Sequence, residues 1–148
     1  MNNNKNFRLK VFEKASLARN FEEEVINNLK NKNIKIPVYV SAGQEFISST
    51  IATICKLKKI KPLIFGQHRC HSIYLTFGGD KGKLIDELIG KKSGCTGGMG
   101  GSASIHSKSI NMYGHDGLMG SNGPVGVGAC YATKKPTIIF LGDAATEE

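Results

Sequence analysis

Two short stretches carry residue types able to hold an anion or a metal. Asp143 follows Gly142 at the end of an apolar, β-branched run, Thr137 to Leu141. Such a run is predicted to form a fully buried strand. A carboxylate just past the carboxyl end of a strand stands where open α/β sheets place their ligands. The second stretch is Gln67-His68-Arg69-Cys70-His71, which sets two imidazoles and a guanidinium side by side. An arginine fork matches phosphate oxygens, and a helix start adds backbone N–H donors. The stretch is predicted to open a helix through Phe77, with His68 and His71 on one face. A His-x-Cys-His metal site lacks a second ligand cluster in the sequence, so anion binding is the better functional reading. An ordinary surface arginine beside packed histidines accounts for the same residues.

These groups need elements to position them. Leu17, Phe21, Val25 and Leu29 recur every fourth residue, which predicts an amphipathic helix from about Lys14 to Lys32. Glu22, Glu23 and Glu24 lie between them and read as a solvated face. Residues 1–10 read as a flexible lead-in, and 11–148 as one domain. After Pro37, a second helix is predicted from about Gln44 to Lys58, burying Phe46, Ile47, Thr50, Ile51 and Ile54. The lysine-rich run Lys56 to Lys61 closes it, with positive charge at the negative end of the helix dipole. Asp80 to Gly90 reads as a short helix, with Asp80 as N-cap and Gly90 as C-cap. The glycine-rich stretch Gly94 to Ser104 cannot form a stable helix and permits close backbone approach. No strand precedes it and no helical period follows, so it is not a dinucleotide-binding fingerprint. It is expected to be an ordered loop over a site or through a subunit interface. From Asn122 to Thr133, small residues on one face predict a tightly packed helix.

Composition narrows the classes. A chain of 148 residues with 40% hydrophobic content fits one globular domain. The net charge of +8 raises nucleic-acid binding, but the basic residues are mostly scattered lysines without interleaved aromatics. They read as a solvated surface, and no nucleic-acid partner is expected. Cys55, Cys70, Cys95 and Cys130 form no CxxC pair, so neither zinc nor a redox motif is indicated. Reduced thiols fit a cytoplasmic protein. No stretch has the apolar length to span a membrane.

In order along the chain, several segments together resemble one family. They are Gly43-Gln44-Glu45, His68-Arg69-Cys70-His71, Gly90 through Ser102, Tyr113-Gly114 with Gly117-Leu118-Met119-Gly120, and Leu141-Gly142-Asp143-Ala144-Ala145. The sequence resembles the N-terminal portion of the α subunit of thiamine-diphosphate-dependent 2-oxo acid dehydrogenase E1 components, such as pyruvate and acetoin dehydrogenase. The resemblance implies an α/β thiamine-diphosphate-binding fold, with helices flanking a mostly parallel sheet and its C-terminal part missing. It implies thiamine diphosphate and Mg²⁺ as cofactors. Asp143 falls on the family's Mg²⁺-binding Asp, a hard-oxygen ligand apt for that ion. Ala144 and Ala145 fall where backbone touches the diphosphate, with Ala144 in place of the usual Gly. His68 and Arg69 fall on the family's diphosphate-binding Tyr-Arg pair. Gly117 and Met119 fall where backbone holds the aminopyrimidine ring, and Ser107 on a further cofactor-lining position. His71 is a catalytic candidate. The family motif's Asn ligand and a later catalytic-loop His would follow Glu148.

Two departures bear on substrate. Pyruvate-type members carry a His where this sequence has Tyr39, and read Gly-Gly-Ser-Met-His where it has Gly101-Ser102-Ala103-Ser104. They point to a different 2-oxo acid, or to synthase-like use of the same chemistry. The resemblance implies a heterotetramer with an E1 β-type subunit, which would supply the activating Glu, and acyl transfer to a lipoyl-bearing E2. The alternatives are a thiamine-dependent synthase or decarboxylase without a lipoyl acceptor, and a non-catalytic fragment or interaction subunit.

Overall fold

Helix α1 (Asn2–Lys30) opens the chain and leads into an α/β unit; the computed structural model describes residues 2–147. The helix starts well before the predicted Lys14, and the expected lead-in over 1–10 is helical from Asn2. Residues 4–10 are exposed apart from the half-buried Phe7, and the buried stripe begins at Val11 and continues through Ala15, Ala18, Phe21 and Val25. Leu17, expected in that stripe, is exposed instead. Glu22, expected on the solvated face, is 0% exposed. Four residues after Ala18 and three before Val25, it lies on the inner side of the helix.

Helix α2 (Glu45–Leu57) is present as predicted, but its faces are reversed. Glu45, Ser48, Ser49, Ala52, Thr53 and Cys55 are buried, whereas Phe46 and Ile47 are 56% and 60% exposed. The physical reason is size. Small residues let α2 lie close against α1 and α3 (His71–Thr76), the helices it packs on. Its inward hydroxyls are met locally: Thr53 Oγ1 donates to Ser49 O at 2.7 Å and Ser48 Oγ to Glu45 O at 3.2 Å.

The sheet has three parallel strands, β1 (Leu63–Phe65), β2 (Met112–Tyr113) and β3 (Thr137–Ile139), in the order β2-β1-β3. Ile64 pairs with Met112 on one side and Ile138 on the other. The chain leaves central β1 to form one neighbour and then crosses to form the other, so β1 sits at a topological switch point. Thr137 to Ile139 are half-buried, not fully buried as predicted, because β3 is an edge strand paired only with β1 among the described residues. Helix α5 (Asn122–Thr133) packs on β1 and β3. Gly126 allows that approach: a Cβ there would lie 2.6 Å from Ile139 Cδ1.

Helix α4 (Lys81–Leu88) is capped by Asp80, whose carboxylate accepts from Lys83 N at 2.9 Å. Ile89 ends it, and Gly90 follows with φ of +76°. The core joins Phe21 and Val25 of α1, Ile64, Ile73, Tyr74, Leu84, Leu88, Ile105 and Met112. No helix among the described residues is long and apolar enough to cross a membrane.

Candidate functional site

The carboxyl ends of all three strands open onto one cavity of about 320 Å³. Its volume lies at the lower end of small-molecule sites. From the end of β1 come Gln67, His68 and Arg69. From the end of β2 comes His115. From the end of β3 come Leu141 to Ala145, including the start of α6 (Asp143–Glu147). A second hollow of about 300 Å³ adjoins it and shares Gln44, Gln67, Arg69 and Asp143. Asn122 fixes the strand ends. Its Nδ2 donates to Gly66 O at 2.6 Å and to Gly114 O at 3.2 Å, tying β1 and β2 to the first turn of α5.

Of the residues singled out from the sequence, His68, Arg69, Met119, Asp143, Ala144 and Ala145 share this cavity. Arg69 is exposed and donates Nη1 to Val40 O at 3.0 Å, leaving the rest of its fork open. Asp143 is an exposed carboxylate. His68 has a buried Nδ1 with no hydrogen-bond partner. Burial first, then the nearby Arg69 and His115, hold its imidazole below the ordinary range. Tyr39 does not line the cavity but packs edge-on against His68, with ring centroids 5.3 Å apart.

Three positions lie elsewhere. Gly117 is exposed, with φ of +109°, and turns the chain just before cavity residues Leu118 and Met119. Ser107 is buried in a bridge with Met112, its Oγ 3.0 Å from Ser109 Oγ. His71 is fully buried in the first turn of α3, while His68 lies in the bend before that helix. The two therefore do not share a helix face, and His71 does not line the cavity.

His71 instead anchors a buried chain of hydrogen bonds. Its Nδ1 lies 3.0 Å from Glu22 Oε2 and its Nε2 2.9 Å from Ser102 Oγ. Ser102 Oγ also accepts from Tyr39 N at 2.9 Å, and Glu22 Oε1 accepts from Ser41 N at 2.8 Å. This network holds the segment before α2 and the glycine-rich loop against α1 and α3. Glu45 adds a second tie: its carboxylate accepts from Arg19 Nε at 2.6 Å and Nη2 at 3.1 Å.

The glycine-rich loop, expected over a site or an interface, is folded around one carboxylate. Glu87 accepts from the backbone N–H groups of Thr96, Gly98, Gly100 and Gly101 at 2.7 to 3.1 Å. Glu22, Glu87, Asn122 and His115 were not legible as site or support residues by type alone. Glu22 had one signal, its place between Ala18 and Val25 on the inner helix face.

The sequence model of the family described as "Dehydrogenase E1 component" matches residues 13–148. Among curated relatives, the chain is 31% identical over 146 residues to "Pyruvate dehydrogenase E1 component subunit alpha-1, mitochondrial" of Arabidopsis thaliana, covering 95% of this chain and 36% of the relative. It is 33% identical over 145 residues to the mitochondrial alpha subunit of Schizosaccharomyces pombe, covering 95% and 34%. It is 29% identical over 145 residues to the corresponding subunit of Rickettsia prowazekii, covering 95% and 44%. The chain thus spans between about a third and under half of the length of these relatives.

Proposed function

The chain belongs to the dehydrogenase E1 component family, and we propose that it supplies the diphosphate- and metal-holding part of an E1 α-type subunit acting on a 2-oxo acid. The observation that carries this reading is the convergence of His68, Arg69 and Asp143 on one cavity at the strand ends. The donor set fits thiamine diphosphate with Mg²⁺. Arg69 offers a partly free fork, and a fork suits phosphate oxygens. His68 has an imidazole nitrogen without a partner. No cluster of three or more metal-ligating side chains exists among the described residues. A single carboxylate, Asp143, suits Mg²⁺, which keeps several waters and takes phosphate oxygens besides one or two carboxylates.

In this reading Asp143 holds the metal, while Arg69 and His68 hold the diphosphate. Ala144 and Ala145 bring backbone close without side-chain bulk, and the backbone at Gly117 and Met119 holds the aminopyrimidine ring. Thiamine diphosphate, when bound, supplies an electron sink for loss of carbon dioxide from the 2-oxo acid. An E1 β-type subunit completes the site with the activating Glu, and a lipoyl-bearing E2 takes the acyl unit. Tyr39, standing where pyruvate-type members carry a His, supports a 2-oxo acid other than pyruvate or synthase-like use of the same chemistry. The cytoplasm is the proposed location; four free cysteines fit a reducing compartment.

Calorimetric titration of the assembled protein with thiamine diphosphate, with and without Mg²⁺, tests the reading. Binding is expected to require Mg²⁺ and to be lost in Asp143→Ala with the melting temperature unchanged. Undiminished affinity in that variant would remove Asp143 from the site.

A further inference from the structure

The chain has four histidines, and their hydrogen bonding divides them into two pairs. His71 is held between Glu22 and Ser102. His106 Nδ1 accepts from Gly114 N at 3.3 Å. Neither lines the cavity. His68 Nδ1 is buried without a hydrogen-bond partner, the His115 ring makes no hydrogen bond among the described residues, and both residues line it. Their ring centroids lie 5.7 Å apart at a tilt of 56°. His115 is only 8% exposed, so its unpaired ring is held in place and not free in solvent. The buried His68 Nδ1 costs free energy unless a ligand or water supplies its partner.

The charges around the pair favour an anion. Arg69 adjoins His68 and also lines the cavity. The nearest acidic side chain in sequence, Asp116, is engaged in its own loop, accepting from Ser121 Oγ at 2.5 Å and Leu118 N at 3.1 Å. Asp143, the acid that lines the cavity, is the group assigned to a cation. Imidazole nitrogens from two different strand ends, beside a guanidinium, suit a ligand with several oxygens spread over a few ångströms.

We propose that His115 is a further binding residue of the cavity, pairing with His68 to grip the oxygens of a diphosphate group. The assignment rests on the reading of the cavity as a phosphate site and adds a residue on β2's side of it. Its role is binding: it fixes the diphosphate from the side opposite β3.

Nuclear magnetic resonance of the histidine ring carbons, during titration of the chain with inorganic pyrophosphate, tests the pairing. The His68 and His115 signals are expected to shift together along one saturation curve, with His71 and His106 stationary. His115→Ala is expected to weaken pyrophosphate binding about tenfold, as for loss of one hydrogen bond to a charged group. The unmoved His71 signal in that variant reports an intact fold, and His115→Asn provides a second, milder truncation. Movement of His68 alone would overturn the role of His115 and leave the phosphate site standing. Stationary signals from both would overturn the phosphate reading together with it. A response of His115 to a 2-oxo acid but not to pyrophosphate would make it a carboxylate contact and overturn the diphosphate assignment.

Discussion

Glu22 and His71 form a buried hydrogen bond, Oε2 to Nδ1 at 3.0 Å, with neither side chain exposed to solvent. One proton assignment satisfies the whole chain of contacts. Ser102 accepts from Tyr39 N and donates to His71 Nε2, which leaves Nδ1–H to donate to Glu22. Removing one member strands the others without water. Glu22→Ala is therefore expected to destabilise the fold by about 3–5 kcal/mol, because the His71 Nδ1–H and the Ser41 N–H both lose their buried acceptor at roughly 1–3 kcal/mol each. Urea unfolding of parent and variant measures it. A loss under about 1 kcal/mol, the range of exposed pairs, would mean the contact is not desolvated in solution.

The same carboxylate gives a pH dependence. Burial pushes Glu22 up, but hydrogen bonds and charge from His71, with the Ser41 donors, outweigh it and hold the carboxyl below its ordinary 4.5. A depressed folded value means that the unfolded chain takes up the proton first. The stabilisation is complete above 4.5 and disappears as pH falls through the lower folded value. Glu45, Asp86 and Asp116 are also depressed, so the parent's acid arm is shared among several groups. Glu22→Gln is expected to flatten stability against pH below 4.5 while leaving the neutral-to-acid slope above it unchanged. Parallel curves for parent and variant throughout would show that Glu22 does not contribute.

Glu87 makes a different prediction because its partners are all backbone. Each of its two oxygens accepts from two N–H groups of the loop. Glu87→Gln replaces one oxygen with a donor that faces two other donors. Each unsatisfied group costs roughly 1–3 kcal/mol. Amide hydrogen exchange is expected to accelerate at Thr96, Gly98, Gly100 and Gly101, while α1 keeps its protection. Unchanged exchange at those four amides would show that the glycine-rich loop orders itself without the carboxylate.

These two acids explain what could be read from the sequence. Helix α5 and the Asp80 cap follow from local pattern and capping chemistry, and the parallel α/β arrangement from the family resemblance, and all are found; of the small face expected on α5, only Gly126 is buried. So is the placement of Asp143 at a strand's carboxyl end, where a ligand crevice forms. Glu22 and Glu87 escaped because a carboxylate is buried only when distant segments supply donors, and those donors are backbone groups or a histidine 49 residues away. His115 escaped for a related reason. It follows a strand of two residues, too short to show any periodicity, and only sheet pairing brings it beside His68.

The reversed face of α2 shows the limit of hydrophobic periodicity and can be tested directly. Phe46, Ile47, Ile54 and Leu57 form an apolar stripe at helical spacing, yet all four are exposed. Ser49, Ala52 and Thr53 are buried against the neighbouring helices. A pattern counts where apolar residues fall but not how much room the neighbours leave. Here the close packing of α1, α2 and α3 selects the small face. Ala52→Leu is accordingly expected to destabilise by about 1–3 kcal/mol through overpacking. Ile47→Glu, an exposed change, is expected to stay within about 0.5 kcal/mol. Thermal unfolding of the two variants decides between the faces. A large loss for Ile47→Glu with a neutral Ala52→Leu would restore the face that periodicity predicts and overturn the packing described for α2.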